Sequence, residues 1–147
     1  MFSKAESQAL KKEFWTAFAN EYPRKWLLYN TRIKDVSLKF YADNKTAQVL
    51  LDIEPKEEEK RIVYFEKMVS LQTILREEFL PDAVYEQNYY LENGKTISRV
   101  WVEKTGISLY NKATWQDIFD FFYEKMDAFE RFFYEYEDYI RDLDINT

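Results

Sequence analysis

The sequence predicts an α+β domain in which antiparallel β-hairpins form one sheet with three helices packed on it, in the order helix, hairpin, helix, hairpin, helix. Three observations point there. Two pairs of alternating apolar runs are each joined by turn residues, three longer segments carry apolar residues at helical spacing, and no linker or low-complexity tract interrupts them. The 147 residues suit a single domain over 1–147, and a chain of this size buries roughly 70% of its unfolded surface.

The first helix is expected over 4–21. Ser3 and Glu6 have the spacing of a capping box, Leu10, Phe14, Ala17 and Phe18 form a stripe, and Pro23 closes the run. The apolar stretch KWLLYNT at 25–31 is read as a short extra strand near 26–30 in preference to a helical turn.

Two alternating runs follow, Val36/Leu38/Phe40/Ala42 and Ala47/Val49/Leu51/Ile53, separated by Asp43-Asn44-Lys45-Thr46. With Asn44-Lys45 as a two-residue loop, the pairs 36/53, 38/51, 40/49 and 42/47 are all apolar on one face. The second helix is expected over 57–79, with acids in its first turn and a stripe of Phe65, Met68, Leu71, Leu75 and Phe79 that ends before Pro81.

Asn93-Gly94 signals the second hairpin. As a two-residue turn it places Tyr85, Gln87, Tyr89 and Leu91 with Thr96, Ser98, Val100 and Val102, leaving Arg99 opposite Asn88 and Trp101 opposite Glu86 on the other face. A third helix over 115–143, capped by Asn111 or Thr114, would span roughly 43 Å at about 1.5 Å per residue. Phe121, Phe132, Tyr134 and Tyr139 lie off its main stripe, which suggests a second packing surface.

Composition removes several chemistries. The chain has neither cysteine nor histidine, so disulfides, thiolate nucleophiles, His-based acid–base catalysis and Cys/His zinc sites are out. With two glycines, Gly94 and Gly106, neither phosphate-binding nor dinucleotide-binding glycine loops can form. The N-terminus has no apolar leader and no long uncharged apolar run occurs, so a cytoplasmic protein without membrane contact is expected. Asn44-Lys45-Thr46 matches a glycosylation pattern by chance in that setting.

A net charge of −6 disfavours non-specific nucleic-acid binding. The charges are segregated, however. Arg24, Lys25, Arg32, Lys34 and Lys39 stand with the single acid Asp35 between 24 and 39, whereas 115–147 holds ten acids against Lys125, Arg131 and Arg141.

The stretches FWTAF (14–18), YNTRIKDV (29–36), ADNKTA (42–47), ENGKTISRVWVE (92–103) and YNKATWQDI (110–118) resemble the bacterial family catalogued as domain of unknown function 4268, in a form common in Bacteroidetes. The resemblance covers nearly the whole chain. It implies an α+β domain found alone or attached to restriction-endonuclease-like proteins, in a family without an established activity. The chain departs from the pattern at Arg32, where the resemblance implies glycine.

Four candidate sites follow. Asp35 on one strand, with Asp52, Glu54 and Lys56 on or after the next, repeats the acid followed by Glu-x-Lys of restriction-type nucleases. The first-hairpin register sets Asp35 opposite Glu54, beside Asp52, on the face away from the apolar one. Three such carboxylates suit Mg²⁺ or Mn²⁺, with Lys56 helping to activate water. With a strand at 26–30 the element order would also match, distantly, the restriction-endonuclease-like core. Against this stand Pro55 inside the motif, the place of Lys56 in the charged run KEEEKR and the net acidity.

Arg99, Trp101, Glu86 and Asn88 form the second candidate, a site for a small anionic or planar ligand. The basic strip with Trp26, Tyr29 and Tyr41 is the third, a stacking surface for bases. The fourth is a protein partner or self-association as a homodimer through the acidic aromatic helix 115–143. The preferred reading is a non-catalytic interaction or binding domain without a cofactor, linked through its family to DNA restriction or nucleic-acid metabolism. The metal-dependent nuclease and the small-ligand binder are the alternatives.

Overall fold

The computed structural model describes residues 2–142. The order is α1 (Lys4–Glu21), β1 (Val36–Ala42), β2 (Thr46–Ile53), α2 (Glu58–Ser70), α3 (Gln72–Glu78), β3 (Val84–Tyr90), β4 (Thr96–Thr105), a 3₁₀ turn (Lys112–Thr114) and α4 (Trp115–Arg141). The strands form one antiparallel sheet in the order β1-β2-β4-β3. Mixed α+β architecture with a single antiparallel sheet is therefore as the patterning predicts.

Helix α1 begins at the expected capping box: Ser3 Oγ accepts from the Glu6 N–H at 3.1 Å and Glu6 accepts from the Ser3 N–H at 3.0 Å. The first hairpin has the predicted register, Val36 with Ile53 through Ala42 with Ala47. Its turn is tied by Asp43, whose carboxylate accepts from the N–H groups of Lys45 and Thr46, both at 2.8 Å.

Across the sheet that register continues through Ile53 with Ser98, Leu51 with Val100 and Val49 with Val102, so one face is apolar over three strands. The helices pack on this face. Phe40 meets Phe18 of α1 at 5.1 Å and Phe122 of α4 at 4.9 Å, and Phe14 meets Trp115 and Phe119 at 5.2 Å. Aromatic pairs of this kind, edge-to-face at Phe40–Phe18 and Phe14–Trp115 and tilted at Phe40–Phe122 and Phe14–Phe119, add about 0.5–1.5 kcal/mol each to the burial of their rings. The excess of aromatic residues is thus largely used inside the chain: Phe121 and Phe132 are buried, the latter against Phe79, just past the end of α3, at 5.5 Å, while Tyr134 remains exposed.

Three expectations are corrected. The helix expected over 57–79 is two helices broken at Leu71 (φ −99°, ψ 5°), where the Ser70 hydroxyl takes the Lys67 carbonyl at 2.6 Å and competes with the helical ladder. Residues 26–30 form no strand; residues 22–35 are a loop joined to the sheet where the Leu38 N–H donates to the Leu28 carbonyl at 3.0 Å and the Glu54 N–H to the Asp35 carbonyl at 2.7 Å. The match to a restriction-type core, which depended on a strand there, does not arise.

The second hairpin is shifted. Its loop is three residues, with the Leu91 N–H on the Lys95 carbonyl at 2.8 Å and Gly94 at φ 87°, a conformation that favours glycine. A β-bulge between Glu86 and Tyr89 then displaces the pairing further. Arg99 is opposite Glu86, not Asn88, and Trp101 is opposite Val84, not Glu86. Helix α4 ends at Arg141; the expected end at 143 lies outside the described residues.

Candidate functional site

The corrected register joins two of the candidate sites. Ser37, Asp52, Arg99 and Glu86 are successive Cα partners across all four strands, and Lys39, Leu50, Trp101 and Val84 form the next row on the same face, away from the helices. Asp52, expected in the carboxylate cluster, thereby faces Arg99, expected in the ligand site.

Asp52 is fully buried, and cations take both of its oxygens. Arg99 donates from Nε to Oδ1 at 2.6 Å and from Nη2 to Oδ2 at 3.0 Å, and Lys39 donates to Oδ2 at 3.0 Å. Lys39 also reaches Glu54 Oε2 at 3.0 Å, and Lys95 stands 3.5 Å from Glu54 Oε1. Lys39 lies diagonally across the hairpin from Asp52, within reach of a long side chain. Burial opposes the charges of Arg99 and Lys39, but Asp52, together with Glu54 at Lys39 and Tyr89 at Arg99, outweighs it and raises the pKa of both. The Tyr89 ring, brought to this face by the bulge, lies 4.2 Å from the Arg99 guanidinium and 5.6 Å from Trp101.

The remaining predicted residues are elsewhere. Asp35 has a left-handed backbone (φ 64°), so strand alternation stops at Val36. Its carbonyl still accepts from the Glu54 N–H at 2.7 Å, but its charge is felt at Tyr64 of α2, whose pKa is raised by burial first and by Asp35 second. Lys56 is exposed in the turn before α2 and makes no ion pair among the described residues. Among those residues no three acidic, His or Cys side chains are grouped to hold a metal ion.

Asn88 is occupied by a residue the patterning overlooked. Arg61 of α2, 4% exposed, donates to the Gln87 carbonyl at 2.5 Å, to Ser98 Oγ at 2.7 Å and to Asn88 Oδ1 at 3.1 Å. It thus grips the bulge with neutral acceptors and no acid within ion-pair distance among the described residues. Its place was readable: Arg61 precedes Phe65 and Met68 by four and seven positions, on the apolar stripe. Lys67, equally buried, donates to the Tyr139 carbonyl at 2.6 Å and to that of Asp142, a cation at the negative end of α4.

The basic strip divides in two. Arg24 donates to Asp127 at 3.0 Å and to Glu130 at 2.7 Å, and Glu130 also accepts from the Leu27 N–H at 2.6 Å, so part of the strip complements α4 within one chain. Lys39 belongs to Asp52 and Glu54. Lys25, Arg32 and Lys34 are exposed and have no ion pair among the described residues. The loop carrying them is built around Thr31, fully buried, whose hydroxyl donates to the Val36 carbonyl at 2.6 Å and accepts from the Ile33 N–H at 3.2 Å. Leu28, Arg32 and Asp35 all have positive φ, 46°, 65° and 64°. An open cleft of about 560 Å³ lies over this loop, lined by Lys25, Tyr29, Asn30 and Arg32 with Tyr134 from α4.

No helix among the described residues is long and apolar enough to cross a membrane. No curated protein and no solved structure matches the chain. The family model described as Domain of unknown function (DUF4268) matches residues 10–137, most of the sequence, and the chain belongs to that family.

Proposed function

We propose that the chain is a cytoplasmic, non-catalytic binding domain whose hairpin carboxylates are structural. The observation that carries this reading is the closure of the Asp52 network: Arg99 and Lys39 occupy both oxygens of Asp52, and Lys39 and Lys95 flank both oxygens of Glu54. A metal ligand or a general base needs a free lone pair directed at the ion or proton. Here Arg99, Lys39 and Lys95 already neutralise the two carboxylates and would repel a further cation, and Asp35 stands apart on a backbone that leaves the strand.

The test is thermal unfolding of the chain and its Asp52→Asn variant with millimolar Mg²⁺ or Mn²⁺, together with incubation on single- and double-stranded DNA. A specifically bound ion at a hundred times its Kd adds about 2.7 kcal/mol to stability, an easily read shift in Tm. The expected result is no metal-dependent shift and no cleavage. A shift lost in Asp52→Asn, with metal-dependent cleavage, would establish instead the nuclease reading through Asp35, Asp52, Glu54 and Lys56.

A further inference from the structure

We infer that the cleft between loop 22–35 and α4 is a binding site for a phosphate-bearing nucleobase. The base stacks on Tyr29 and Tyr134, and the phosphate is held by Lys25 and Arg32. This deepens the binding-domain reading by naming a ligand class, at a site separate from the Asp52 network.

Exposure and chemistry carry the argument together. Tyr29 is 72% exposed and Tyr134 56%, and both line the cleft. Ring faces left in solvent beside cations are what a planar anionic ligand uses: stacking on the ring and charge-assisted hydrogen bonds to the phosphate. The cleft's volume of about 560 Å³ lies in the ordinary range for small-ligand sites. Asn30, also on its wall, offers both a donor and an acceptor to a base edge.

Electrostatics favour an anion here despite the acidity of the whole. Of the α4 acids that contact this loop, Asp127 and Glu130 are bonded to Arg24, Asp127 also to Arg131 at 3.1 Å, and Asp120 accepts from the Tyr22 hydroxyl at 3.1 Å, where the loop begins. Lys25 and Arg32 have no such partner among the described residues, so their charges are directed to solvent.

The loop is also pre-shaped. Glu130 holds the Leu27 N–H, Thr31 closes the turn onto Val36, and the Asn30 N–H takes the Leu27 carbonyl at 2.9 Å, so little ordering remains to oppose binding. Arg32 occupies a left-handed backbone that is intrinsically unfavourable for any residue with a side chain, and such positions concentrate at functional sites. A free nucleotide and a single strand share this chemistry. An acidic peptide lacks the planar group that two exposed rings receive.

The experiment is fluorescence anisotropy of a short fluorescein-labelled oligothymidine on the full chain at low salt, with adenosine monophosphate and polyglutamate as competitors. Saturable binding is expected. Tyr134→Leu should weaken it roughly tenfold, as loss of one base stack does. The double variant Lys25→Ala with Arg32→Gly should flatten the log–log salt dependence by about 1.4, two phosphate contacts on a single strand, with an unchanged or higher Tm.

Displacement by the mononucleotide at equal nucleotide concentration identifies a free nucleotide as the source, and displacement only at large excess identifies a strand; both support the site. No binding at low salt, variants that bind like the parent, or displacement by polyglutamate as effective as by nucleotide would overturn it. Such a failure leaves the non-catalytic reading untouched, because the metal titration at Asp52 decides that separately.

Discussion

Asp52 on β2 and Arg99 on β4 are Cα partners across the sheet, and the guanidinium meets the carboxylate through Nε at 2.6 Å and Nη2 at 3.0 Å. The acid is fully buried and the side chain of its partner only 11% exposed. Ion pairs this deep add little over an apolar replacement of the whole pair, but removing one member strands the other. Asp52→Ala is therefore expected to cost about 3 kcal/mol, since Arg99 loses its acid and Lys39 keeps only Glu54. Lys95→Ala, at the exposed end of the same network, is expected to cost less than about 0.5 kcal/mol. Urea unfolding of both variants checks the contrast, and equal losses would contradict it.

Arg32 offers the opposite sign. Its φ of 65° is a conformation in which a side chain is disfavoured by about 1–2 kcal/mol. Glycine removes that strain but frees the unfolded backbone, so Arg32→Gly is expected to stabilise by about 0.5–1 kcal/mol. A lower unfolding midpoint in urea would mean that the arginine side chain contributes contacts that outweigh the strain.

Arg61 should behave as a lock on the bulge. Its guanidinium satisfies the Gln87 carbonyl, Ser98 and Asn88 at once, and Lys cannot reproduce that fork. Arg61→Leu is expected to lose about 2–3 kcal/mol by leaving buried acceptors unpaired. Hydrogen exchange should quicken first at β3 amides and less at β1. Uniform acceleration through the sheet would argue against a local role.

Asp43 and Asp127 make stability depend on pH in acid. Burial works against the ionised form of each, but for Asp43 the N–H groups of Lys45 and Thr46 and the Tyr41 hydroxyl outweigh it. For Asp127 the guanidinium groups of Arg24 and Arg131 do so. Both carboxyls are thus held below their ordinary value of 3.8, and the unfolded chain takes up protons first. Their stabilisation is complete above that value and is lost as pH falls through the lower folded-state values. Thermal unfolding across a pH series should show these contributions intact down to about pH 4 and declining beneath it. Asp43→Asn should make the decline shallower.

What the sequence disclosed follows the range of the interactions involved. The first hairpin was legible to the residue because its two-residue turn and its alternation are local and agree, and the Lys39–Asp52 diagonal follows from the same register. In the second hairpin Asn93-Gly94 marked the turn, but loop length and bulge were hidden. The bulge is held by a side chain from α2, more than 25 positions upstream of Gln87 and Asn88. The break at Leu71 escaped for a different reason: Met68, Leu71 and Leu75 keep helical spacing through it, so the apolar stripe shows no interruption. Lys25, Tyr29 and Asn30 of the cleft sit in an apolar run that resembles a strand locally. Only Thr31, Glu130 and three left-handed residues, acting across the fold, make it a loop.

The bulge has a second effect, on how molecules of this protein meet in solution. A four-stranded open sheet has two outer margins, and each is a template on which a foreign strand can assemble. On β1 the Leu38 N–H is already taken by Leu28 of the preceding loop. On β3 the bulge, held in place where Arg61 and the Ser98 hydroxyl donate to the Gln87 carbonyl, kinks the margin out of the straight run that strand addition requires. The bulge that Arg61 holds from α2 thus makes β3 a poorer template for a foreign strand.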